Sequence, residues 1–247
     1  MKRLLLWTAI GALCLSGLTQ AQNFSRLPPL PPGKTGAPLD LSGYWVSLIT
    51  EDWRFRMVAA PSGDHPDIRL NPAGDKIAAA WSKNADNTPQ KRCLRFGAAM
   101  LMRVPTRLHI TWRDDMTLLV QTDAGDQTRV FDFTANPPAA TADASLQGIS
   151  KASWDAIPPT KGGGMKVVTT HLSPAYLQRN GVPYSDKTSV TEYFDVLKEP
   201  DGMELLVVKT IVEDPVYLAA PYITTSHFLK QSDSRGWNPQ PCSDLPP

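Results

Sequence analysis

The chain predicts an all-β protein, an antiparallel meander closing into a barrel with one or two short helices. Three observations carry this. Short runs of alternating apolar and polar residues recur from Arg107 to Lys230. Turn residues separate them, with Asp114-Asp115, Asp123-Ala124-Gly125-Asp126 and Pro200-Asp201-Gly202 as explicit hairpin signals. Only one segment reads as a good helix. A closed sheet removes exposed strand edges and leaves an interior.

Residues 1–21 read as a signal peptide: basic Lys2 and Arg3, an apolar run from Leu4 to Leu18, and Ala21 before a cleavage point. The run is too short for a convincing membrane span. Leu13 before Cys14 argues against a lipid anchor. An uncleaved anchor is the other reading of this segment. The expected location is the periplasm or outside the cell. Residues 22–40 form a Pro-rich leader, Leu27-Pro28-Pro29-Leu30-Pro31-Pro32-Gly33, which reads as an extended tether. Residues 41–247 form a single barrel domain.

The first strand is Trp45 to Ile49. Asn71 is an N-cap candidate and Pro72 suits a first helical turn, so Ala73 to Ser82 reads as helix, with Ile77 and Trp81 docking on the sheet. Trp53 to Arg56 reads as strand or loop. Strands follow at Arg107–Arg113, Met116–Thr122 and Gln127–Phe133. Ser145 to Trp154 is a short strand or ordered loop between breakers, and Ser173 to Asn180 a short helix or turn. The last strands are Met165–Leu172, Thr188–Leu197, Met203–Glu213 and Tyr222–Lys230.

The whole chain carries 25 basic and 24 acidic residues. Without residues 1–21 the balance is 25 − 2 = 23 against 24, a net of −1. No basic excess points to nucleic acid. Cys93 and Cys242 remain, an even pair that favours a disulfide in an exported protein; two free thiols are the alternative. Neither cysteines nor histidines show metal-ligand spacing, so no metal or cofactor is expected. No Gly-rich phosphate loop or serine elbow occurs.

Two charges sit on strand faces that otherwise read as buried. Arg129 alternates with Phe131 and Phe133, and Glu192 with Val190, Phe194 and Val196. A buried charge needs a partner, a ligand or water. The pair is read either as a structural ion pair or as a ligand site. In the second case Arg129 clamps an anion and Glu192 accepts a proton or a hydroxyl. His171 and His227 lie on half-apolar strands and are further candidates. His65 is loop-borne. Glu213-Asp214-Pro215 reads as a strand terminus with an Asp turn.

The order of short motifs resembles a large group of secreted bacterial proteins without an established activity. The residues are Cys93 to Gly97, Arg129-Val130-Phe131, Gly148-Ile149-Ser150 with Trp154, and Gly181-Val182-Pro183-Tyr184-Ser185-Asp186. Glu192-Tyr193-Phe194, Glu213-Asp214-Pro215 and Cys242 complete the order. Ala99 and Tyr193 depart from the group, which has Pro and Arg there. Gly43-Tyr44-Trp45 also looks like the Gly-x-Trp that opens many lipocalins, where a late cation covers the Trp. The resemblance implies a lipocalin-like barrel in the periplasm and no catalytic residues.

The functional expectation is a lipocalin-like protein binding a small, partly apolar, anionic molecule, with Arg129, Glu192, His171, His227 and Trp154 as candidate ligand-binding residues. The alternatives are a barrel enzyme of isomerase or lyase type with Glu192 as general base, and an envelope protein-interaction module.

Overall fold

The computed structural model describes residues 30–50, 53–86, 88–134, 143–155 and 162–245. The expected signal peptide and most of the leader lie outside them. Thirteen strands run in chain order: β1 Gly43–Leu48, β2 Arg107–Asp114, β3 Thr117–Thr122, β4 Ala124–Gly125, β5 Gln127–Asp132, β6 Ile149–Asp155, β7 Gly164–Thr170, β8 Ala175–Tyr176, β9 Pro183–Tyr184, β10 Ser189–Lys198, β11 Glu204–Glu213, β12 Tyr222–Gln231 and β13 Gln240–Pro241. Nine of them form a closed barrel in the order β1-β12-β11-β10-β7-β6-β5-β3-β2, with β2 returning to β1. The short pairs β13–β4 and β8–β9 lie outside the ring.

The all-β barrel is as expected, but the meander is interrupted once. Eight joints of the ring are antiparallel, and β5 and β6 run parallel. Directions that alternate around a ring of nine must repeat at an odd number of joints. The parallel joint is that repeat. It is also short, with only Phe131↔Ser150 and Asp132↔Lys151 in register, where β10 and β11 share ten pairs. A parallel joint needs a crossing connection rather than a hairpin. The chain between β5 and β6 supplies it and comes back beside the start of β5, where Gln147 donates to Gln127 Oε1 (2.9 Å) and to the Phe96 carbonyl (2.8 Å).

Helices are short: α1 Trp53–Met57, α2 Pro72–Ala80, α3 Pro89–Arg92 and α4 Ala98–Leu101. Asn71 Oδ1 caps α2 by accepting from Ala73 and Gly74, both at 3.0 Å. The docking face differs from the expected one. Ile77 is exposed, while Gly74 and Ala78 are buried. A Cβ at Gly74 would lie 2.7 Å from the Tyr217 carbonyl, so small residues let the helix approach where Ile77 could not. Trp53 to Arg56, read as strand or loop, lies in α1, and Ser173 to Asn180, read as a short helix or turn, carries β8 and then a turn closed by Gly181 N donating to the Gln178 carbonyl (3.2 Å).

The barrel interior is filled by side chains from every wall, among them Trp45, Leu108, Leu118, Phe131, Phe194 and Phe228, all with no exposed surface. Lys230 Nζ lies 4.3 Å from the Trp45 ring centre and donates to the Ser42 carbonyl, so a late cation does cover the Trp of Gly43-Tyr44-Trp45. Residues 30–40 are not a free strap: Lys34 N donates to the Asp115 carbonyl (2.8 Å), and Gly33 and Gly36 are buried. Cys93 and Cys242 form a disulfide with Cα atoms 5.0 Å apart.

Asp214, at the end of β11, organises the loops below the barrel. Its carboxylate accepts from the Ser185 amide, the Thr188 hydroxyl (2.6 Å), and the amides of Val216 (2.7 Å) and Tyr217 (2.9 Å). Burial pushes its pKa up, but these four donors outweigh burial and hold it below the ordinary carboxylate value. A depressed folded-state pKa stabilises fully above the unfolded value, and that stability is lost as pH falls through the folded value. Asp214→Asn is expected to lower unfolding stability at pH 7 by about 2–3 kcal/mol. Urea titrations at pH 7 and pH 3 check this: the gap between the two proteins narrows at the lower pH.

Candidate functional site

Two places hold charge against apolar walls: the barrel interior and a recess at its rim.

In the interior, Arg129 on β5 reaches across β6 and β7 to Glu192 on β10. Its Nη1 donates to Oε1 at 2.9 Å and its Nη2 to Oε2 at 2.6 Å. Nη2 also donates to Thr169 Oγ1 on β7 (3.0 Å), which shares a 2.8 Å hydrogen bond with Ser150 Oγ on β6. The guanidinium stacks over Phe131, 4.8 Å from the ring centre. Arg129 and Glu192 have no exposed surface. The line Arg129–Thr169–Ser150 with Glu192 spans the short parallel joint from inside. It ties β5 to β10 where the backbone ladder between β5 and β6 offers only two pairs.

The surrounding polar atoms are closed in as well. Arg129 Nε, Tyr184 Oη and Ser226 Oγ are buried without a hydrogen-bond partner. Burial raises the pKa of the Tyr184 hydroxyl far above its ordinary value, against the opposing charge of Arg129. Five recesses on the described residues are lined by other side chains than Arg129 and Glu192. The geometry is that of a buried bidentate ion pair, with Arg129 Nε left over among the described residues.

The other candidates do not join it. His171 lies just beyond β7 in a left-handed conformation (φ 58°), and its Nδ1 shares a 2.9 Å hydrogen bond with Thr170 Oγ1. It lines a shallow polar recess with Asp143, Asp186 and Lys187. His227 is half-buried on the outer face of β12, because Ser226 and Phe228 take the inward positions. Trp154 sits at one end of the barrel. Its Nε1 donates to the Gly33 carbonyl (2.7 Å), and its ring packs on Phe133 (4.9 Å). His65 Nε2 faces Asp75 at 3.3 Å beside α2. Among the described residues no three His, Cys, Asp or Glu side chains converge as metal ligands.

The rim recess was not legible in the sequence. Its volume is about 270 Å³, and its walls come from distant segments: Met57, Phe96, Met100, Val104, Ala124 and Leu245 are apolar, and Arg56, Arg95 and Arg179 are cationic. Arg56 is structural, donating to the carbonyls of Arg103 (3.0 Å) and Leu48 (2.7 Å) and so fixing α1 to the barrel. Arg179 is different. It is half-buried, donates from Nη1 to the Met57 carbonyl (3.2 Å), and makes no ion pair among the described residues. Burial lowers its pKa, and no carboxylate opposes that shift. The one sequence signal was the mixture of aromatic and basic residues from Trp53 to Arg56; nothing marked Arg179 or Leu245.

No family model, curated protein or solved structure matches this chain. Several of the short motif segments lie against one another. A Cβ on Gly97 would overlap the Tyr184 hydroxyl, and Ser150 joins the Arg129–Glu192 line through Thr169. Ser185 binds Asp214, and Cys93 binds Cys242.

Arg129→Ala is expected to destabilise the protein by about 3–5 kcal/mol, because it strands the Glu192 carboxylate. Arg129→Met combined with Glu192→Leu is expected to recover most of that loss. Denaturant unfolding of the three proteins checks it; a double variant as unstable as the single one would show that the charges are needed beyond satisfying each other.

Proposed function

We propose that the protein is an exported, lipocalin-like binding protein whose ligand is a small, partly apolar anion held in the rim recess. The anchoring cation is Arg179 rather than Arg129, both of whose terminal nitrogens are already taken by Glu192. The supporting observation is the Arg179 guanidinium, half-buried among apolar side chains with one bond to a backbone carbonyl. A guanidinium carries five donors in a fork that matches a carboxylate. A carboxylate placed there would gain paired hydrogen bonds, while its apolar part covers Phe96, Met100 and Val104. The recess is smaller than the sites of drug-sized ligands, which start at about 300 Å³, so a short chain or a single ring suits it.

No observation favours Glu192 as a general base, since both of its oxygens accept from Arg129. An envelope interaction module is the second reading, because Trp53, Met57 and Val58 are exposed beside the same recess. Calorimetry separates them. Octanoate is expected to bind at least about tenfold more tightly than octan-1-ol, and Arg179→Gln is expected to remove the difference. Octanoate and octan-1-ol binding equally, or neither binding below about 1 mM, would overturn the recess as an anion site.

A further inference from the structure

The Cys93–Cys242 bond joins the two sides of the rim recess. Arg95 and Phe96, on one wall, follow Cys93 by two and three residues. Leu245, on the facing wall, follows Cys242 by three. The C-terminal segment has other ties as well, among them Trp237 edge-on against Tyr44 and His109 and Gln240 N donating to the Asp123 carbonyl (2.8 Å). β13 makes two register pairs with β4, Cys242 N donates to the Gly125 carbonyl (3.2 Å), and Arg92 Nη1 donates to the Ser243 carbonyl (3.0 Å). Leu245 rests on the edge of the core as a half-buried side chain near Val46 and Ser47 of β1, whereas Phe96 is almost fully buried and packed against Gly125, where a Cβ would overlap its ring.

We propose that the disulfide is a redox latch on the recess: the oxidised bond holds Leu245 over the ligand, and reduction releases it. This rests on the recess being the ligand site. The co-reactant is a dithiol. Its thiolate attacks the Cys93 sulfur, which is half-buried while Cys242 is almost fully buried. The S–S bond breaks, a mixed disulfide forms at Cys93, and Cys242 leaves as a thiolate. Gln127 Nε2 lies 3.7 Å from the Cys242 sulfur, placed to donate to it as charge develops. The second thiol of the dithiol then displaces Cys93. Two thiols remain on the protein after two protons are taken up, and the dithiol becomes a disulfide. Reduction leaves the barrel ladders intact, since no strand of the ring contains either cysteine.

The test measures octanoate affinity of the full chain, oxidised and after dithiothreitol, with circular dichroism and hydrogen exchange at the Cys242 amide. Reduction is expected to weaken octanoate at least about tenfold, to keep the β spectrum, and to speed exchange at Cys242. Leu245→Ala, with the bond intact, is expected to weaken octanoate similarly and to leave little further effect for reduction. A reduced, folded protein with unchanged affinity overturns the latch, as does a Leu245→Ala protein that binds like the parent. Loss of the β spectrum on reduction overturns it too, because the bond would then be a staple of the whole fold. An oxidised parent that binds no octanoate removes the recess reading itself.

Discussion

Nine strands around a ring cannot alternate direction all the way round. One joint must be parallel, and here it falls between β5 and β6, where only two residue pairs are in register. Much else follows from that seam. The connecting chain must cross to the other end of the barrel, which takes Gln147 to Phe96 and Gln127. The interior must hold together a wall that the backbone holds weakly. Arg129, Thr169, Ser150 and Glu192 do this with charge-assisted hydrogen bonds laid across four strands. A buried ion pair is seldom a net gain over apolar packing. At this position it links β5, β6, β7 and β10 from inside, across the short parallel joint.

The same view accounts for the scattered motifs. Gly97 leaves room for the Tyr184 hydroxyl, Ser185 and Thr188 feed Asp214, and Cys93 meets Cys242. These are devices for seating loops and closing the barrel. At the rim, Arg179 lines a recess with apolar side chains and donates from Nη1 to the Met57 carbonyl.

The rim recess also shows why the C-terminal segment is covalently held. β13 lies outside the ring and has a two-residue partner in β4. Pairs of that length are marginal by themselves. The disulfide ties the segment close to the recess that Phe96 and Leu245 both line.

Alternation and turn residues were enough to read the all-β class, the hairpin strands from Arg107 onward, the Asn71 cap and the inward direction of Arg129 and Glu192. These are local properties, because side-chain direction on a strand repeats every two residues. A Cys93–Cys242 disulfide was the favoured reading of the sequence beside two free thiols, and the structure has the bond. Tertiary structure decided the rest. Whether Arg129 faced a ligand or Glu192 depended on how β5, β6, β7 and β10 were ordered around the ring, which no single segment reveals. The outward turn of His227 followed from the register of β12 against β11 and β1. The recess was beyond reach for the same reason: its walls come from residues 56–57, 95–105, 124, 179 and 245, and only closure of the chain brings them within one ligand's length.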